Sequence, residues 1–178
     1  MEKPEVPLEQ AQEEIAHHAH ESGLSWVMGV ALTAAVLAGL AAVTALMAEH
    51  HANEAMISQI KASDQWSYYQ AKGIKAAVLE TRTALLAAMK TQAGRDDEKL
   101  KRYSEEQKEI YDEAKGLERE SQHHLRRHVP LSRGVTMFQV AIAVAAISAL
   151  TRRKGYWWLA IGFGVAGLGF LTWGLMIP

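Results

Sequence analysis

The chain has 178 residues, of which 49% are hydrophobic, and a formal net charge of −1. These averages suit a soluble domain, but the charges are distributed unevenly along the chain. Residues 1–24 carry six acids and one lysine, residues 49–130 carry fourteen acids and fourteen bases, and no acid follows Glu120. The absence of cysteine excludes disulfides, thiolate metal sites and cysteine nucleophiles.

Residues 1–24 form an acidic tail that contains His17, His18 and His20. Its apolar residues have a spacing that permits a short amphipathic helix. The apolar stretch behind this tail has no basic region ahead of it and is too long for a cleavable signal peptide. We therefore expect that stretch to remain in the mature protein.

Three acid-free apolar stretches follow the tail, at residues 25–48, 131–150 and 156–177. Each is long enough, at about 1.5 Å per helical residue, to cross a hydrocarbon core of about 30 Å. Tyr156, Trp157, Trp158 and Trp173 lie near the two ends of the third stretch, which is typical of membrane interfaces. The sequence thus predicts an all-α integral membrane protein with three transmembrane helices.

Small residues recur at helical spacing in all three predicted spans. Ala35 and Gly39 in the first, Ala145 in the second and Gly164 in the third are predicted contact residues, because small side chains let membrane helices approach closely. The alternative is that alanine and glycine are simply common in membrane helices. The repetition in three spans favours a compact bundle or an oligomer.

The interiors of the predicted spans contain no ionisable side chain, and Arg133 lies at the start of the second span. An ion-coupled pump or transporter normally needs one within the membrane, so this class is disfavoured. The polar residues of the spans leave a passive pore, formed by an oligomer, as an alternative. Apart from Ser25 and Ser132 at the span ends, these polar residues are Thr33, Thr44, Thr136, Gln139, Ser148 and Thr172.

Residues 49–130 are predicted to form an extramembrane antiparallel helical hairpin with its turn near residues 93–97. Pro130 is predicted to end the second arm.

Each arm carries a line of residues at alternating spacings of three and four, which is typical of a helix contact. The first line is Ile57, Ile60, Asp64, Ser67, Ala71, Ile74, Val78, Thr81, Leu85 and Ala88. The second line is Leu100, Tyr103, Gln107, Ile110, Ala114, Leu117, Ser121 and His124. Polar members on both lines favour further association with copies of the chain or with a partner.

The densest aromatic motif lies at residues 64–75 and reads Asp-Gln-Trp-Ser-Tyr-Tyr-Gln-Ala-Lys-Gly-Ile-Lys. On a helix, Trp66, Tyr69 and Gln70 share a face, and Gly73 leaves a notch one turn beyond Tyr69. These four residues are predicted contact residues, either within the chain, through aromatic rings that keep a polar group, or with a partner.

This motif, together with His-His-Ala-Asn-Glu-Ala at residues 50–55, resembles the signature of the bacterial domain-of-unknown-function family numbered 4337. The similarity extends over most of the chain. The resemblance implies a small bacterial membrane protein. It implies no catalytic residue, because the family has no established activity.

The histidines cluster near the predicted membrane boundaries. His124 and His128 are four residues apart, as are His50 and Glu54, which is a usable spacing for metal ligands on a helix. With His51, these residues form a weak candidate metal site. The alternative is that the imidazoles lie at the membrane interface without binding metal.

The sequence contains no nucleophile and base arrangement, no phosphate-binding loop and no dinucleotide motif. We therefore expect a non-enzymatic protein without a cofactor: a scaffold or accessory subunit that forms homo-oligomers or joins a larger membrane complex. The alternative is a passive oligomeric channel. The resemblance implies a bacterial membrane, and we expect the inner membrane. The basic residues give a divided answer about orientation, because Arg126, Arg127 and Arg133 lie at one end of the second span and Arg152, Arg153 and Lys154 at the other. The uncharged far end of the third span favours the N-terminus inside and the hairpin on the periplasmic side.

Overall fold

The computed structural model describes residues 25–89 and 96–177, and this part of the chain folds into three α-helices. They are α1 (Ser25–Ala88), α2 (Asp96–Thr151) and α3 (Lys154–Met176). Each helix is long and apolar enough to cross a membrane. The predictions of an all-α fold and of three helices that could span a membrane are thus confirmed. The acidic tail, with its predicted amphipathic helix and its histidines, lies outside the described residues.

The first predicted span and the residues that follow it belong to one helix, α1. Nothing in its sequence interrupts it, because it has no proline and its three glycines, Gly29, Gly39 and Gly73, are far apart. Most of the turn predicted near residues 93–97 lies outside the described residues. Asp96 and Asp97 already belong to α2.

The prediction that Pro130 ends a helix is wrong, because α2 continues through Pro130 to Thr151. A proline inside a helix removes one backbone hydrogen bond and costs about 3 kcal/mol. Contacts on both sides of Pro130 hold the helix together across it. His128 Nδ1 lies 2.9 Å from the carbonyl oxygen of Ala48, and Leu131 is fully buried. Packing therefore outweighs the local preference for a break.

The described residues fall into two compact units. The first unit consists of residues 25–52 and 125–177 and contains the apolar parts of all three helices. Its core has two clusters: Val27, Val30, Ala34, Ala145, Ala149 and Ala160 in one, and Leu37, Ala41, Phe138, Ala141 and Ile142 in the other. Alanines make up much of both clusters, as expected where helix backbones approach closely.

Only two residues, Arg152 and Arg153, separate α2 from α3. Arg152 has a φ of 54°, in the left-handed region, and Arg153 is extended. The Ser148 hydroxyl donates a hydrogen bond of 3.0 Å to the Arg153 carbonyl oxygen, and the Tyr156 backbone N–H donates to the same atom. These bonds fix the reversal of the chain between the two helices.

The second unit, Asn53–His124, consists of the later part of α1 and the earlier part of α2. Ala55, Ser58 and Ala62 of α1 and Ile110, Ala114 and Ser121 of α2 are its buried residues. Side-chain hydrogen bonds join Ala55 to Ser121, Trp66 to Glu118, Tyr69 to Gln107 and Lys72 to Glu106. Residue numbers rise along one segment as they fall along the other, so the two segments run antiparallel where they touch.

Candidate assembly surfaces

Three glycines of α3 lie where large side chains from the other helices meet its backbone. A Cβ atom at Gly164 would lie 2.7 Å from a methyl carbon of Leu37. A Cβ atom at Gly167 would lie 2.7 Å from the ring of Phe138. The corresponding distance at Gly174, to Leu131 Cγ, is 2.8 Å. These glycines therefore serve contacts within the chain.

The four predicted contact residues of the spans divide into two groups. Ala145 and Gly164 are buried by contacts inside the first unit. Ala35 and Gly39 are exposed, and a Cβ atom at Gly39 would meet nothing within 4 Å. The fold of one chain does not use this pair, and a further helix could therefore approach Ala35 and Gly39.

A pore would turn the polar side chains of the spans towards water, whereas a scaffold would bury them in helix contacts. Thr33 and Thr44 are engaged in contacts within the chain. The Thr44 hydroxyl is fully buried and donates a hydrogen bond of 2.6 Å to the Leu40 carbonyl oxygen. Thr33 donates to the Gly29 carbonyl oxygen at 2.7 Å and accepts from Trp157 Nε1 at 3.3 Å. Both threonines thus satisfy their hydrogen bonds without water. Gln139, by contrast, is exposed.

The aromatic motif packs within the second unit. Trp66 Nε1 donates a hydrogen bond of 2.8 Å to Glu118 Oε1, and the Trp66 ring makes edge contacts with Tyr69 and Tyr111. The Lys115 ammonium lies 5.3 Å from the centre of the Trp66 ring, within the range of a cation–π interaction. The motif therefore joins α1 to α2.

The notch predicted beside Tyr69 is occupied by a side chain of α2. Gln107 Nε2 donates a hydrogen bond of 3.4 Å to the Tyr69 carbonyl oxygen, and a Cβ atom at Gly73 would lie 3.0 Å from the same nitrogen. Gln70, the fourth predicted contact residue of the motif, is exposed. Of the four, Gln70 alone is left facing outward.

Two ion pairs accompany these contacts. The hydrogen bond with Glu106 raises the pKa of Lys72 above its usual value, and the same bond lowers the pKa of Glu106. Lys115 and Glu118, whose charged groups lie 2.8 Å apart, form the second pair. The bond from Lys115, and then the bond from Trp66, lower the pKa of Glu118. Each bond favours the charged form of its carboxylate.

The first of the two predicted contact lines does not pack against α2, contrary to the expectation for a hairpin. All ten of its residues, from Ile57 to Ala88, are exposed. The buried residues of this part of α1 are instead Ala55, Ser58 and Ala62. The second line packs as predicted, with Ile110, Ala114 and Ser121 buried. The expectation about the first line is wrong because small side chains, not the larger aliphatic ones, allow α2 to approach α1.

The five candidate metal ligands are His50, His51, Glu54, His124 and His128. Among the residues that the structure describes, no three His, Cys, Asp or Glu side chains are close enough together to hold a metal ion. Instead, the His50 and His51 rings lie 5.5 Å apart, and the His128 ring contacts the Ala48 carbonyl group. Nothing in this part of the chain therefore supports the metal hypothesis.

One contact of the first unit could not have been predicted from sequence spacing. The Arg127 guanidinium donates two hydrogen bonds, of 2.9 and 2.6 Å, to the carbonyl oxygen of Ile177 just beyond α3. A cation at a helix C-terminus satisfies carbonyl groups that have no partner within the helix. The only sequence signal is the pair of adjacent basic residues, Arg126 and Arg127, just before the second apolar stretch.

Comparisons with known proteins support the resemblance found at residues 64–75. We found no match among curated proteins and none among solved structures. A family match, however, covers residues 26–177 and thus all three helices. The chain belongs to the family described as Domain of unknown function (DUF4337).

Proposed function

We propose that this protein is a non-enzymatic assembly subunit of a bacterial inner membrane: a scaffold or accessory subunit that joins copies of itself or a larger membrane complex. Its three apolar helices form the membrane anchor, and the segments of Asn53–His124 form an antiparallel hairpin outside the membrane. The hairpin is the second contact surface.

The main support for this proposal is that some predicted contact residues pack within the chain, whereas others remain exposed. Ala145 and three glycines of α3 are occupied within the chain, whereas Ala35 and Gly39 in the first span remain exposed. The three glycines are Gly164, Gly167 and Gly174. Small residues at helical spacing favour close approach of a further membrane helix. The exposed line of α1 between Ile57 and Ala88 adds an apolar surface beyond the spans.

A passive channel is the second candidate, and one residue favours it. Gln139 is exposed within the apolar part of α2, where an amide group would be costly against lipid. Thr33 and Thr44 oppose it, because their hydroxyl groups are satisfied inside the unit and are not left to line a wet axis. We therefore favour the scaffold over the channel.

Leucine at Gly39 tests the proposal. Gly39→Leu is expected to shift the protein to smaller particles on native gels of membranes dissolved in a mild detergent, because the added side chain blocks close helix approach. Gly169→Leu is the matched control, since Gly169 is also exposed with nothing within 4 Å of a Cβ atom. Equal migration of both variants and the unaltered protein would contradict the assembly role of this face.

A further inference from the structure

We infer that a second copy of this chain packs, in parallel orientation, against the exposed line of α1 between Ile57 and Ala88. This inference rests on the proposed function, because it names the partner and the surface of the assembly. The outer line consists of these ten residues: Ile57, Ile60, Asp64, Ser67, Ala71, Ile74, Val78, Thr81, Leu85 and Ala88.

The outer line and the α2 contact lie on opposite sides of α1. The buried residues Ala55, Ser58 and Ala62 each precede a member of the outer line by two positions. Two residues correspond to about 200° around a helix that has 3.6 residues per turn. Packing against α2 therefore cannot cover the outer line.

The spacing of the outer line is that of a supercoiled helix contact. Its members alternate at three and four residues over ten positions, which averages 3.5 residues and keeps the line directed at a neighbouring helix. Single exposed aliphatic side chains are ordinary on protein surfaces. Five of them at the correct positions of one repeat form a contact seam.

The apolar area is sufficient for a pair of copies. The five large aliphatic residues are between 45% and 66% exposed: Ile57, Ile60, Ile74, Val78 and Leu85. Burying side chains of this kind removes about 100 Å² each from water, or about 500 Å² for each copy. Two copies would then bury about 1,000 Å², the size at which specific protein interfaces begin.

The charges beside the outer line favour a second copy that runs in the same direction. One flank carries Lys61, Lys75 and Arg82, and the corresponding positions of the other flank are the uncharged Ser63, Gln70 and Ala77. Parallel pairing places the basic flank of one copy against the uncharged flank of its partner. Antiparallel pairing would place the two basic flanks together. Copies inserted in one membrane with the same topology also run parallel.

Asp64 is the one charged residue on the outer line. In a parallel pair, the two Asp64 side chains face each other, and a polar residue at such a position weakens the contact while fixing its register. Asp64→Leu is therefore expected to strengthen self-association about tenfold. Since Asp64 is exposed in the single chain, the substitution leaves the fold intact.

Cysteine scanning tests the pairing directly, because the chain has no cysteine of its own. Single cysteines placed at each position from 74 to 85 in the full chain are oxidised in native membrane vesicles, and the crosslinked dimer is measured. We expect maxima at residues 74, 78, 81 and 85 and minima at 76, 79 and 83. An unpatterned yield, or maxima on the side that faces α2, would overturn the inference.

A charge substitution supplies a second measurement. Ile74→Asp combined with Val78→Asp should weaken self-association at least tenfold in a dilution series in detergent. The control adds two negative charges to exposed positions off the line, through Gln59→Asp with Ala87→Asp, and should change association less than twofold. Equal effects of the two double variants would overturn the inference.

The two experiments also separate this inference from the proposed function. A large native particle without patterned crosslinks would show that a second copy does not cover the outer line, and it would overturn this inference. The assembly role would remain, with a different protein on the outer line. A single chain alone in the membrane would overturn both.

Discussion

Three glycines of α3, Gly164, Gly167 and Gly174, mark the points where large side chains from α1 and α2 reach its backbone. The sequence predicted Gly164 as a contact residue, because small residues at helical spacing are a general sign of close helix packing. It could not predict that the neighbour is Leu37 of the same chain, since spacing on one helix carries no information about its partner. Ala35 and Gly39 are likewise small residues at helical spacing, but they remain exposed.

Alanine at Gly167 should destabilise the bundle. The new Cβ atom would lie 2.7 Å from the ring of Phe138, a fully buried residue, so the ring or the backbone of α3 would have to shift. Overpacking of this kind costs roughly 1–3 kcal/mol, which would appear as a lower thermal midpoint of the purified protein in detergent. Gly169→Ala, at an open position, should leave the midpoint unchanged or raise it. A loss of equal size in both variants would contradict this packing.

The Lys72–Glu106 pair gives the second unit a defined pH dependence. Because the pKa of Glu106 is lowered from 4.5, its contribution to stability is present above that value and is lost as the pH falls through the lowered pKa. Because the pKa of Lys72 is raised from 10.5, its contribution is present below that value and is lost as the pH rises through the raised pKa.

Glu106→Gln should therefore lower the thermal midpoint between about pH 5 and pH 10 and lose its effect in stronger acid. Midpoints of the unaltered protein and the variant, measured in detergent from about pH 2 to about pH 10, provide the test. Glu105→Gln changes an exposed neighbour and serves as the control. A constant difference between protein and variant down to pH 2 would rule out the ion pair as its cause.

At the scale of whole helices, the sequence predicted the helical state well and the contact face of α1 poorly. Two lines of residues with the same repeat run along opposite sides of this helix, and the sequence favours the more aliphatic line as the contact with α2. The small residues Ala55, Ser58 and Ala62 form that contact instead. Hydrophobicity alone does not decide between the lines, because close helix approach depends on side-chain size.

Pro130 shows a second limit of prediction at this scale. A local preference for a helix end is outweighed by tertiary contacts, such as the burial of Leu131. Pro130→Ala restores a backbone N–H and should raise stability by about 1–3 kcal/mol without changing the helical content measured by circular dichroism. A gain of helical signal in the variant would mean that the helix is interrupted at Pro130 in the unaltered protein.

At the scale of the whole molecule, three helices could cross a membrane, and the residues between the first two apolar stretches carry balanced charge. The length and composition of the apolar stretches were sufficient to predict this arrangement. The partner could not be predicted, because a contact surface that remains exposed in one chain does not name the molecule that covers it.

The orientation in the membrane can be tested separately. With the hairpin on the periplasmic side, a reporter inserted at Gly94 that is active only outside the cytoplasm should be active, and one appended after Pro178 should be active as well. A cytoplasmic signal at Gly94 would reverse the orientation. It would leave the contact surfaces unchanged.

The mass of the particle that contains this protein shows most directly whether the protein is a subunit of an assembly. The full chain, produced at native levels, is released from the membrane in lipid discs and its mass is measured by native mass spectrometry. We expect a particle with two or more copies of the 19.6 kDa chain, or one copy with a further membrane protein. A single chain accompanied only by lipid would contradict it.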